Sequence, residues 1–268
     1  MASARRRAGG EGFSPAALKG LAAVAAGFFM LPLVGLALRA PWPEAWDRIR
    51  EPEILEALRL SVVVSLAALA LALVFGSPLA WVLANVSFPG RRLLRGLVLL
   101  PMVLPPVVAG VGLLTALGRR GLLGGVLTQL GVSLPFTTPA AAVAAAFVGA
   151  PFLVVTLESG FRSVDRGLEE AASTLGASRW MILRTVTLPA VRPSLLAGAT
   201  LCWARALGEF GATIIFAGNL RGVTQTGPLA VYGELQTGDA GGAILLSLVL
   251  LLMSLTVLVA LRGRVSVR

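Results

Sequence analysis

The chain of 268 residues contains no histidine, one cysteine (Cys202), one lysine (Lys19) and one tyrosine, and each scarcity removes a class of chemistry. A single cysteine makes an intrachain disulfide impossible. Without histidine, no zinc or haem site of the usual ligands can be assembled, so no metal-binding residues are expected. A Walker A phosphate loop needs lysine followed by serine or threonine, whereas Lys19 is followed by Gly20. ATP hydrolysis is therefore not expected on this chain, which binds no cofactor of its own. A membrane-embedded enzyme would need a nucleophile, base or metal cluster inside a span, and this composition offers little for one. Charge is scarce too: 13% of residues, against about one-quarter in an ordinary soluble domain.

What is abundant is apolar surface, with 56% hydrophobic residues and a mean hydropathy of +0.86. Several runs are long enough to cross roughly 30 Å of hydrocarbon as helices, which excludes a soluble domain. The reading is an all-α polytopic membrane protein, one domain over 1–268, with about six spans. They are Leu21 to Leu38, Leu58 to Ala84, Leu93 to Leu117, Pro139 to Leu157, Ser194 to Ala217 and Gly242 to Leu261. The first run has about 18 apolar residues, more than the 7–15 of a signal-peptide core, and reads as an uncleaved helix. Residues 41–56 alternate Trp and Pro with acids and read as an interfacial segment. No inverted internal repeat is visible.

The net charge of +10 does not point to nucleic acid, because the basic residues sit in connectors. Fifteen lie at the N-terminus (Arg5, Arg6, Arg7, Lys19), the 85–95 turn (Arg91, Arg92, Arg95), the 158–192 loop (Arg162, Arg166, Arg179, Arg184, Arg192) and the tail (Arg262, Arg264, Arg268). Seven lie on the opposite side, namely Arg39, Arg48, Arg50, Arg59, Arg119, Arg120 and Arg221. The positive-inside rule makes 1–20, 158–192 and 262–268 cytoplasmic, with both termini on that side. Arg205 falls inside the fifth span, four residues before Glu209, a spacing that allows pairing on one helical face. Charged groups at that depth usually face a bundle interior or an aqueous path, and an internal ion pair or a clasp between two copies fits equally. Pro101, Pro105 and Pro106 break backbone bonding in the third span, which suits either a packing kink or a gate.

The loop "GLEEAASTLGASRWMILRTVTLPAV" (167–191) is polar between greasy neighbours. Asp165 or Ser163 can cap a first short helix that carries Glu169 and Glu170 in its opening turns, and Gly176 supplies a stop. A second helix starts from Ser178, and Leu188–Pro189 closes it before the fifth span. Small Ala171, Ala172 and Ser173 beside two carboxylates, with Leu175, Trp180 and Met181 as apolar anchors, make a surface that a partner protein can approach, and Ala177 is counted with the docking residues. An ordinary amphipathic connector on the bilayer is the alternative. The order Glu170, Ala171, Ala172, Gly176, Val186, Leu188, Pro189 resembles the EAA loop of the permease subunits of bacterial ABC importers, with valine where isoleucine is more usual.

That resemblance implies a type I ABC importer permease in the bacterial inner membrane. It also implies a second copy of the chain, two cytoplasmic ATPase subunits carrying ATP-Mg and seated on the loop, and an extracytoplasmic oxyanion-binding protein. "LGEFGAT" (207–213), "AGN" (217–219) and "TQTGPLAVY" (224–232) are similar to the molybdate or tungstate branch; sulfate and thiosulfate permeases look similar. A divalent oxyanion suits hydroxyl and amide donors with an occasional cation, which makes Thr213, Asn219, Thr224 and Thr226, with Arg205, Glu209, Pro105 and Pro106, the candidate path residues. An ion-driven transporter or channel would instead spread polar groups over several spans and need no such loop.

Overall fold

The computed structural model describes residues 15–265, and every regular element among them is helical. Arg5, Arg6, Arg7 and Arg268 lie outside the described residues. Helix α1 (Pro15–Arg39) is followed by a short amphipathic α2 (Trp42–Ile49), in the stretch expected to be interfacial. Next comes one helical run, Pro52–Asn85, made of α3 (Pro52–Leu71), a π turn (Ala72–Gly76) and α4 (Ser77–Asn85). Helix α8 (Thr138–Arg162) is the central pillar, packed on α3, α4 and above all α11 (Leu188–Leu207). Helix α14 (Ala240–Val265) pairs with α13 (Gly227–Thr237) and with α1, whose apolar window is wholly exposed.

Two expected spans differ in the structure. The third is not one kinked helix but α5 (Arg91–Leu99), with a 3-10 turn to Met102, and α6 (Pro106–Leu117), set at 118° to each other; a short α7 (Gly124–Gln129) follows. Pro105 stands at ψ 132, a conformation that ends a helix instead of bending it, and the adjoining Pro106 at the first helical position starts a new one. The fifth does not run to Ala217: α11 stops at Leu207, and a separate α12 (Gly211–Phe216) follows.

Leu188–Pro189 also fails to close the preceding helix. Helix α10 (Arg179–Ile182) continues through a π turn (Leu183–Thr187) straight into α11. In a regular α-helix the Pro189 ring would strike the carbonyl of Thr185; that carbonyl belongs to the wider π turn, which accommodates it.

The core is built largely of alanine. Ala140, Ala141, Ala144 and Ala145 of α8 meet Val64, Ala68, Ala109, Ala212 and Phe216 in one cluster, and Leu83, Val154, Leu157 and Val191 form another. Small side chains let backbones approach, the usual source of helix association in lipid. A Cβ on Gly149 would lie only 2.9 Å from the Cys202 carbonyl oxygen, so α8 and α11 are in backbone contact there. Outside the core, Arg48 of α2 pairs with Asp239, which also accepts from the Gly242 amide at 2.9 Å, tying α2 to the start of α14. The Arg48 guanidinium holds the Asp239 carboxyl below the usual carboxylate range.

Candidate functional site

Two regions concentrate polar chemistry. The first is the 165–189 loop. Asp165 caps α9 (Arg166–Thr174) by accepting from Gly167 N at 2.8 Å, and Ser178 caps α10 by accepting from Met181 N at 3.3 Å. Between them the chain turns through a Schellman motif. Ala177 N donates to Ala172 O at 3.1 Å and Gly176 N to Ser173 O at 3.0 Å, with Gly176 at φ +82. Positive φ is cheap for glycine and strained for other L residues, which explains glycine at this point. Glu169 accepts from the Thr187 hydroxyl at 2.5 Å, folding α9 back against the π turn. The loop is thus fixed by its own bonds while its apolar groups stay outside: Leu175 is 88% and Trp180 63% exposed. Glu170, Ala171, Leu188 and Pro189 are exposed, and Ala172 and Ala177 are half-buried. Arg184 stacks over Trp180, 5.6 Å from the ring centroid.

Behind the loop is a cavity of about 1160 Å³ whose walls include Trp81, Phe161, Arg166, Glu170 and Trp180. The same end of the bundle holds Glu158, a residue the sequence reading missed. It is buried at 1% exposure between Arg95 Nε at 3.2 Å and Arg162 Nη2 at 2.7 Å. Arg91 and Arg162 donate to the Leu83 carbonyl, supplying cations where the α4 dipole ends negative. Arg162 stands at ordinary helical spacing from Glu158, but nothing local announces Arg95, which reaches it from another helix.

The second region lies halfway along the bundle. Gly149 sits at the middle of the 25-residue α8, and Cys202 and Ala206 lie against it, so Arg205 stands at half height. The two broken helices meet nearby: a Cβ on Gly211 would lie 2.7 Å from Pro106 Cβ, and one on Gly110 would lie 2.9 Å from the Ala212 carbonyl. Arg205 and Glu209 do not share a helical face, since α11 has ended before Glu209. They pair across the break, Nη1 to Oε2 at 2.7 Å, while Glu209 Oε1 accepts from the Ala212 amide at 2.8 Å. An arginine at mid-bilayer costs roughly 2.5–3.5 kcal/mol on the insertion scale. An opposite charge about 4 Å away contributes about 4 kcal/mol at an effective dielectric of 20, comparable to the cost of one such charge; the buried Glu209 carries a cost of its own, part of which its bond from the Ala212 amide offsets.

Of the remaining candidates, Thr213 directly follows Ala212 at this junction, and the others lie farther along the chain. Thr213 is buried within α12. Asn219, Thr224 and Thr226 follow it in the 217–226 connector, where the Thr224 hydroxyl accepts from Leu220 N at 2.9 Å and so braces the loop. Asn219 Oδ1 and Thr226 Oγ1 are buried without a partner. Ser61, not singled out by sequence, accepts from the Gly227 amide at 2.6 Å and anchors α13 to α3.

Residues 72–263 match the family described as the inner membrane component of binding-protein-dependent transport systems. The chain belongs to this family and is an ABC importer permease of the inner membrane. Among its relatives, the molybdenum transport system permease protein ModB of Mycobacterium tuberculosis is 43% identical over 237 residues, covering 88% of this chain and 89% of that one. ModB of Escherichia coli is 43% identical over 207 residues, covering 75% and 90%. The sulfate transport system permease protein CysT of Salmonella typhimurium is 37% identical over 232 residues, covering 85% and 84%. The fold is that of a solved bacterial ABC transporter that imports the acidic polysaccharide alginate, with a TM-score of 0.71 at 18% identity over 92% of this chain and 94% of that one.

Proposed function

We propose that this chain is the membrane-spanning subunit of an ATP-driven importer of molybdate or tungstate, working as two copies with two cytoplasmic ATPase subunits and an extracytoplasmic oxyanion-binding protein. The 165–189 loop carries the reading. It is preorganised by a cap at each helix and a Schellman turn, yet leaves Leu175 and Trp180 exposed, as a docking element for another protein requires. The excess of basic residues at that end orients it to the cytoplasm, with both termini on the same side. The higher identity to the ModB relatives than to CysT favours molybdate over sulfate.

In this mechanism the ATPases close on ATP and draw the two loops together. Helix α10 runs unbroken into α11, so the movement is delivered to the half-height break where Arg205, Glu209 and Pro106 meet, and the bundle opens outward. Hydrolysis lets it return. Thr213, Asn219 and Thr226 supply hydroxyl and amide groups beyond the break.

Two experiments test the reading. In pull-downs with the cognate ATPase, Gly176→Trp and Glu170→Arg are expected to lose association and ATP-dependent uptake; undiminished binding and uptake in both would remove the docking role. Reconstituted uptake of molybdate, tungstate and sulfate with the binding protein decides the substrate, and sulfate transport at equal efficiency would defeat the molybdate assignment.

A further inference from the structure

We propose that Glu209 is a resident counter-ion for Arg205 that a passing dianion must displace, so that the pair selects substrate by charge. This rests on the oxyanion reading above and gives the two residues separate tasks within it. The Glu209 carboxylate is inaccessible, with its side chain 1% exposed, and is held from two sides by Arg205 and by the Ala212 amide. The Arg205 side chain is 29% exposed, on the face of α11 that also carries exposed Leu201 and Ala204. Among the described residues Glu209 is its one ion-pair partner. An anion arriving from the open side therefore meets the arginine and not the glutamate.

Charge then decides the exchange. Glu209 already places one negative charge on Arg205 and is tethered beside it, so a free monoanion gains nothing by replacing it. A tetrahedral dianion brings twice the charge, and the guanidinium fork can take two of its oxygens at once. After displacement Glu209 keeps the Ala212 amide, so a buried carboxylate is not left bare. Its return to Arg205 expels the anion and stops the cation from acting as a trap.

The test uses the full permease with its ATPase and binding protein in liposomes, given labelled molybdate and increasing perrhenate, a tetrahedral anion of single charge. Wild type is expected to resist perrhenate. Glu209→Gln removes the resident charge and is expected to be inhibited at about tenfold lower perrhenate. The Arg205→Gln/Glu209→Gln double variant is expected to regain resistance in whatever uptake remains. Retention of labelled perrhenate by the detergent-solubilised complex should give the same ranking without requiring transport. Equal sensitivity of wild type and Glu209→Gln, or sensitivity that survives in the double variant, would overturn the proposal. So would dissociation into single copies with unchanged perrhenate retention, which would make the pair a clasp. If the wild-type complex takes up neither molybdate nor tungstate, the oxyanion reading itself fails, and perrhenate retention still judges the pair.

Discussion

Gly176→Ala isolates the conformational role of the docking loop, because no atom lies within 4 Å of the position its Cβ would take. The substitution adds no clash, so its cost is that of holding an L residue at φ +82, about 1–2 kcal/mol. That strain acts on the turn closed by Ala177 N to Ala172 O and Gly176 N to Ser173 O. A penalty of this size shifts the ratio of bent to unbent loop roughly 5–30-fold. If the ATPase seats only the bent form, its apparent affinity falls by up to the same factor. Gly176→Asn should recover most of the loss, since asparagine tolerates the left-handed region. Gly90 supplies the control: it stands at φ +88, equally open, in the turn before α5. Gly90→Ala carries the same backbone penalty away from the loop and should leave association unchanged. Binding of the ATPase to the permease in lipid nanodiscs, followed by interferometry, measures all three variants. Equal weakening by Gly176→Ala and Gly90→Ala, or no weakening by either, would refute the reasoning.

Glu158→Gln removes the charge between Arg95 and Arg162; because both arginines are about 40% exposed, the expected loss is about 1–3 kcal/mol, less than for a fully buried pair, read as a lower thermal midpoint and faster proteolysis of the 86–90 turn. Gly149→Val drives a side chain into the Cys202 carbonyl and sulfur and should destabilise the α8–α11 contact by about 1–3 kcal/mol in thermal unfolding, with Gly112→Val, which meets no atom, as the neutral comparison for packing. Asp239 has a depressed folded pKa, so its tie to Arg48 is fully present above the unfolded-chain value near ~3.9 and is lost as pH falls through the folded value. Hydrogen exchange of α2, corrected for intrinsic rate, should rise at that acid edge in wild type and show no such step in Asp239→Asn.

The all-helical class and four of the spans were legible in the sequence because each rests on local information: an apolar run long enough to cross, bounded by polar residues. The loop was legible for the same reason, as Asp165, Gly176 and Ser178 act on amides two to five residues away. What escaped depends on distant partners. Three prolines signal a break in the third span, but neither its 118° angle nor the seat of α6 against α12, where Gly110 and Gly211 allow close approach, can be read from local sequence. Arg205 and Glu209 have helical spacing, yet the helix between them has already ended, and the Ala212 amide holds Glu209 from the far side. Glu158 has Arg162 at helical spacing, but its second arginine comes from α5, which no local pattern announces.

The continuous helical course from Trp180 to Arg205 makes this stretch a connecting rod. At 1.5 Å per residue it is roughly 40 Å long. A tilt of about 10° pivoting at its inner end would sweep the Trp180 end through roughly 7 Å; pivoting at the loop, it would displace Arg205 by as much. A rod of this kind needs no relay of side chains to carry motion, and its weak points are Pro193, which removes a backbone bond inside α11, and the π turn at Leu183–Thr187, where the helix is widest and Glu169 braces it from outside.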